Sequence, residues 1–197
     1  METTIIECDT HITSKEVKEL EVAEKKLKKI LEKNKEYVPA LVAMGLCKFI
    51  LKKSSEARNY LKTVTQQEFQ LEFAEYFERA WLLSADYYIS VNKFDLAEAE
   101  LKKVLKYNKS NVKAEELMGL IKEKEKAYVD AAEHYDKAFK MSNNKNANVG
   151  FRLAFNYLKA NRFVDTIDVG KEILKVHPDY PKLKTELIDK ARSMIKN

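Results

Sequence analysis

Glycine and proline are nearly missing from this sequence, four and three among 197 residues, so the residues that break helices are scarce. Lys, Glu, Leu and Ala abound instead, and these favour helix. The two cysteines, Cys8 and Cys47, are too few for a disulfide framework, and 45% hydrophobic content can build a core without staples. A reduced, cytoplasmic setting is the simpler reading. No run of eighteen uncharged apolar residues occurs, and the N-terminus lacks a basic start followed by an apolar stretch, so neither a membrane span nor a secretion signal is expected. The glycines at 45, 119, 150 and 170 are scattered, which excludes a phosphate-cradling loop.

The 36 basic and 31 acidic residues leave a net charge of +5, short of a dedicated nucleic-acid domain. Lysine runs such as Lys25-Lys26 with Lys28-Lys29 alternate with Glu24 and Glu32, and Lys102-Lys103 follow Glu98 and Glu100. At helical spacing these are solvated faces laced with ion pairs.

Small residues recur at Ala23, Ala57, Ala97, Ala131 and Thr166, at intervals of 34, 40, 34 and 35 residues. A second series, Gly45, Ala85, Gly119 and Ala154, keeps the 40, 34 and 35 spacing and lies twelve residues before the first series each time. Such agreement demands two helices per unit, packed so closely that only Gly or Ala fits where they cross. Trp81, Ala85, Tyr88, Ala97 and Leu101 reproduce most of the tetratricopeptide pattern, with Ser84 at its Leu position. Gly119, Ala131, Tyr135 and Ala138 repeat it with Lys122 where Tyr is expected, and Ala154, Tyr157 and Pro178 repeat it again. With Gly45 and Ala57, these are the expected repeat core.

Helices are expected near 14–34, 38–52, 55–66, 68–91, 94–108, 111–126, 128–142, 147–161, 163–176 and 180–196. Thr13 with Glu16 resembles a capping box, Pro39 and Pro181 suit a first helical turn, and residues 142–148 are the clearest loop. The predicted fold is all-α: a tetratricopeptide right-handed superhelix of antiparallel helix pairs. Its parts are a linker over 1–13, a partial repeat helix over 14–37, repeats over 38–77, 78–111, 112–146 and 147–180, and a capping helix over 181–197. The cap is to bury Leu183, Leu187, Ala191 and Met194. The segment before Val17 has neither an aromatic nor a Gly/Ala crossing residue, so the first full helix is expected to lack a cover, as in the tail of a longer repeat protein.

A single hairpin cannot fold alone, because ordering costs about 1–2 kcal/mol per residue and each large buried side chain returns about 1.5–3. Stacking is obligatory, and it leaves an inner groove lined by the first helix of each pair. Here Val42, Leu46, Phe49, Leu82, Ile89, Leu120, Phe151, Phe155 and Leu158 make that face largely apolar. Asp86, Glu116 and Glu123 oppose a bound carboxylate terminus. A helix or apolar segment of another protein is the expected occupant; the alternative is a groove filled by the array's own helices.

His11, His134 and His177 fall in different units, with only Asp130 at ligand spacing from His134, so no metal is expected. Cys47 reads as a core filler, and Trp81 with Tyr87-Tyr88 as core rather than a base-stacking platform. No acid–base pair, nucleophile or cofactor motif has coherent spacing. The chain is therefore expected to be non-catalytic, with no cofactor, small-molecule substrate, nucleic acid or inserted membrane.

Beyond the general repeat, the stretches KEKAYVDAAEHYDKAF (124–139), SNN (142–144), VGFRLAFNYLKA (149–160), RFVD (162–165), HPDYPK (177–182) and DKAR (189–192) resemble the C-terminal region of the tetratricopeptide repeat protein 21 family. The resemblance is specific from about residue 110 onward and loose before it. It implies a large repeat subunit of intraflagellar transport complex A, acting in retrograde ciliary transport and cargo entry at the cilium and basal body. On the repeat alone, a peptide-docking co-chaperone or other adaptor is the alternative.

Overall fold

In a computed structural model of the chain, residues 2–196 are described; Met1 and Asn197, the outermost residues of the expected linker and cap, lie outside them. Eleven α-helices follow one another among the described residues: α1 (Glu2–Ser14), α2 (Val17–Lys33), α3 (Val38–Ile50), α4 (Ser54–Thr65), α5 (Ala74–Ser90), α6 (Phe94–Tyr107), α7 (Val112–Lys124), α8 (Tyr128–Met141), α9 (Ala147–Lys159), α10 (Phe163–Val176) and α11 (Asp189–Lys196). A 3-10 turn, Leu71–Phe73, precedes α5, and a π-helical turn, Leu183–Ile188, precedes α11. No strand occurs among the described residues.

Every even-numbered helix up to α10 buries one stripe in the same register. The stripes are Ala23, Leu27 and Ile30 on α2; Ala57, Leu61 and Val64 on α4; Ala97, Leu101 and Val104 on α6; Ala131, Tyr135 and Ala138 on α8; and Thr166, Gly170 and Ile173 on α10. This spacing of four and three residues is one face of an α-helix.

Two compact units divide the chain, one ending at Val104 and one beginning at Leu105. In the first, α1 packs on α2 and α3, α3 on α4 and α5, and Ile5, Cys8, Ile12, Leu20, Leu27 and Met44 share a core. In the second, α7 pairs with α8, α8 with α9 and α9 with α10. The core of this unit runs from Ala131 and Tyr135 through Phe139, Leu153 and Ile173 to Leu183 and Leu187.

The crossing residues explain the repeat spacing. A Cβ built on Gly45 would lie 2.7 Å from Leu61 Cδ2, and one on Gly119 would lie 3.0 Å from the ring of Tyr135. Both partners lie four residues after the small residue of the second helix. Ala85 and Ala154, at the same position in their pairs, have no exposed surface.

None of the glycines takes a positive φ. The left-handed residue ending the first helix of a pair is instead Lys52, Asn92, Lys126 or Asn161, with φ of 59°, 56°, 63° and 59°. The next residue closes each turn: Lys53, Lys93, Ala127 and Arg162 donate their backbone N–H to the carbonyls of Lys48, Tyr88, Lys122 and Tyr157 at 2.8–2.9 Å. This is the Schellman ending, built without its usual glycine.

Expectations at both ends give way. Residues 2–13, expected as linker, belong to α1, whose Ile5, Cys8 and Ile12 are buried against α2 and α3. The capping box is not formed: Thr13 remains inside α1 and its hydroxyl donates to Asp9 O, while Glu16 caps α2 without a side-chain bond. The expected 180–196 helix starts three residues later in π geometry, after Lys182 at a φ of 65°. Widening that turn brings Ile188 into the core beside Leu183 and Leu187 and leaves Met194 about half exposed. Pro178, expected in the repeat core, is exposed; it follows the cap of α10, where a missing N–H ends the helix.

Candidate protein-binding groove

In the first unit, Leu46, Phe49 and Leu82 are partly exposed. Val42 is fully buried and Ile89 nearly so, so these two expected groove residues serve packing. In the second unit, Leu120, Phe151 and Phe155 are partly exposed, and Leu158 is mostly covered. Of the repeat-core residues, Tyr88 is only half-buried, its ring 5.6 Å from that of Tyr87.

The second unit turns this face into cavities. One, of about 520 Å³, is lined by Glu116 and Glu123 of α7, Asn148, Phe151, Arg152 and Phe155 of α9, and Tyr180. A second, of about 380 Å³, shares Phe151 and Phe155 and adds Leu158, Lys159, Thr185, Glu186, Leu187 and Lys190. Phe151, Phe155 and Leu158 thus come together; Leu120 does not line either cavity.

The polar wall of the larger cavity is tied down. Arg152 donates to Glu123 Oε1 at 3.3 Å and to Tyr135 Oη at 3.4 Å, and Asn156 donates to Glu123 Oε2 at 2.8 Å. Burial, reinforced by Glu123, pushes the Tyr135 hydroxyl far above the ordinary tyrosine range. Burial opposes the charge on Arg152, but Tyr135 and Glu123 outweigh it and raise its pKa. The network fixes α7, α8 and α9 to one another around a wall that offers both donors and acceptors.

Tyr180 was not legible as a site residue. It lies in the turn after α10, where no helical period marks it, yet its hydroxyl donates to Asn148 Oδ1 at 2.8 Å and its ring sits 5.7 Å from Phe151. The cap residues Thr185, Glu186 and Lys190 were likewise hidden by the π turn.

Groups suited to other chemistry are occupied structurally. His134 Nδ1 meets Glu115 Oε2 at 2.6 Å, bridging α8 and α7, and His11 contacts Glu19. Cys8 and Cys47 are free, buried thiols raised in pKa by burial. Among the described residues no three His, Cys, Asp or Glu side chains converge as metal ligands, and no helix is long and apolar enough to cross a membrane.

Solved structures with the same fold include MamA, with a TM-score of 0.70 at 18% identity over 95% of this chain and 98% of that one. YrrB, described as a TPR protein with an unusual peptide-binding site, gives 0.67 at 15% identity over 92% and 86%. Human tetratricopeptide repeat protein 21B is 45% identical over 185 residues, and human tetratricopeptide repeat protein 21A 41% identical over the same length; each alignment covers 94% of this chain. The Caenorhabditis elegans homologue is 41% identical over 147 residues, 75% of this chain. The chain spans about 14% of the length of the human relatives. The family model described as the tetratricopeptide repeat protein 21 C-terminal ARM domain matches residues 1–192, so the likeness extends well before residue 110. Paired helices, crossing residues and sequence thus agree, and the chain belongs to the tetratricopeptide repeat protein 21 C-terminal family.

Proposed function

We propose that this chain is a non-catalytic scaffold segment of an intraflagellar transport complex A subunit, binding other subunits of that complex in retrograde ciliary transport and cargo entry. The observation that carries the reading is the family match over residues 1–192, together with large apolar side chains that stay partly exposed in each unit, Leu46, Phe49 and Leu82 in the first and Leu120, Phe151 and Phe155 in the second. A helix or apolar segment of a partner protein fits them, because side chains at helical spacing read alternate apolar groups. The co-chaperone alternative has less support: a carboxylate clamp needs free cations, and the cations beside this wall, Lys113 and Arg152, are engaged by Glu116 and Glu123.

Affinity capture from ciliated cells with this chain as bait tests the reading. Recovery of complex A subunits, lost on Leu46→Glu or Phe155→Glu with helicity retained, is expected. Chaperones alone in the eluate, or capture indifferent to both substitutions, would refute it.

A further inference from the structure

Phe151 and Phe155 stand between the two cavities of the second unit, and the charges on their two sides are balanced differently. In the larger cavity each carboxylate has a cation: Glu116 meets Lys113 at 3.5 Å and Glu123 meets Arg152 at 3.3 Å. In the smaller cavity Glu186 meets Lys182 at 3.5 Å. Lys159 and Lys190 line the same cavity without a carboxylate partner among the described residues; the Lys159 ammonium rests 5.5 Å from the Phe155 ring centroid. The floor beneath them is Phe151, Phe155, Leu158 and Leu187.

Resting on the scaffold reading, we infer that this trough takes an acidic, amphipathic peptide segment of a partner protein. An apolar side chain lies against Phe151 and Phe155, and carboxylates of the same segment face Lys159 and Lys190. The larger cavity, with paired charges and a mixed set of donors and acceptors, suits the peptide backbone rather than a net charge. Opposite charge at the rim guides encounter and register, while the apolar contact on the aromatic floor holds the segment. The π turn builds the far wall: it sends Leu183, Leu187 and Ile188 inward and leaves Thr185 and Glu186 exposed beside the cavity.

The test is fluorescence anisotropy of the full chain with three labelled short peptides. One carries a Glu-Asp-Leu-Phe-Glu-Asp core, one its Lys/Arg counterpart, and one the acidic core with Ser replacing Leu and Phe. The acidic apolar peptide is expected to bind the wild-type chain, to weaken about tenfold in K159E/K190E, and to weaken with added salt. The serine peptide should not bind, and the basic peptide should prefer K159E/K190E. Both lysines are exposed, so the double variant keeps its fold, which circular dichroism checks. No binding of the acidic peptide, equal binding of acidic and basic peptides, or binding unchanged in K159E/K190E would overturn the inference. If K159E/K190E still captures complex A subunits while Phe155→Glu does not, this inference fails and the scaffold reading stands; capture unaffected by K159E/K190E, Phe155→Glu and Leu46→Glu alike removes both.

Discussion

Adding one methyl group at Gly119 should destabilise the chain, although the same change in an open helix does the opposite. Gly→Ala in a helix interior ordinarily gains about 1 kcal/mol. Here the new Cβ would sit 3.0 Å from three atoms of the Tyr135 ring, which is fully buried and whose hydroxyl accepts from Arg152. The ring cannot swing clear without loosening α8 and that bond, and overpacking of this kind costs about 1–3 kcal/mol. Taking about 2, the net loss is about 1 kcal/mol, a fall in Tm of about 2–4 °C for a chain of this size. Tyr135→Leu alone opens a cavity and costs about 2–4 kcal/mol. In that background Gly119→Ala should regain the ordinary helix preference and stabilise by about 1 kcal/mol, a coupling of about 2 kcal/mol between the sites. Urea and thermal unfolding followed at 222 nm, with hydrogen exchange at α7 and α8 amides, measures each corner of the cycle. Gly119→Ala raising Tm in the wild-type background, or additive effects of the two changes, would refute the close-crossing account.

The left-handed turns give a graded expectation. Lys52→Gly and Lys126→Gly should each stabilise by about 0.5–1 kcal/mol, because a side chain at positive φ costs about 1–2 kcal/mol and glycine gives part of that back in unfolded-state entropy; Asn92→Gly and Asn161→Gly should gain less, and equal Tm shifts at all four would contradict this. The Lys48 side chain is 5% exposed and bonds Glu24 at 3.0 Å and Glu56 at 2.7 Å, tying α3 to α2 and α4, so Lys48→Met should cost about 1–2 kcal/mol in urea unfolding by removing the ammonium that joins the three helices, while Glu24 keeps Lys28 at 2.7 Å. The hydrogen bond from Lys28, with Lys48 adding to it, holds the Glu24 carboxyl below the ordinary carboxylate range, and Lys48 does the same for Glu56. Depressed carboxylates contribute stability above the unfolded pKa of about 4.5 and lose it as pH falls through their folded values; the acid limb of a stability–pH profile should flatten in Glu24→Gln, and an unaltered limb would show the pair to be idle.

The paired helices were legible because packing at a close crossing restricts residue size, and a size restriction repeated at 34, 40, 34 and 35 residues survives in one sequence. The crossing partners carry it further. Gly119 faces the ring of Tyr135, whereas in the last pair the position equivalent to Tyr135 is Gly170 and the crossing residue grows to Ala154. Backbone conformation left no comparable trace. Lysine and asparagine occupy the left-handed turns, and on an exposed surface both are indistinguishable from solvated residues. The groove was legible as an apolar face of α9, but not the depth of Val42 or the wall supplied by Tyr180 and the π turn, since a helical period reports which residues share a face and not what stands opposite.

The first helix shows how a register can hide while being kept. Gly45, Ala85, Gly119 and Ala154 each stand seven residues before the left-handed residue of their turn, at Lys52, Asn92, Lys126 and Asn161; the same step back from Lys15, with a φ of 58°, lands on Cys8. Cys8 has no exposed surface and its Sγ lies 4.0 Å from Ala23 O, so it meets α2 where the series of small residues begins. Measured to Ala23 the interval is fifteen residues rather than twelve, because three residues are added between Lys15 and the crossing. A thiol also stands where glycine or alanine was sought, and free cysteine packs as a small apolar group. Helix α1 is therefore the first member of a pair of the same kind as the others, its crossing set by a cysteine and its period displaced by a longer turn. Cys8→Ala should then be tolerated with a loss of about 1 kcal/mol or less, while Cys8→Leu should unfold α1 from α2, visible as lost amide protection at Leu20 and Ala23; protection that survives Leu at this position would place the crossing elsewhere.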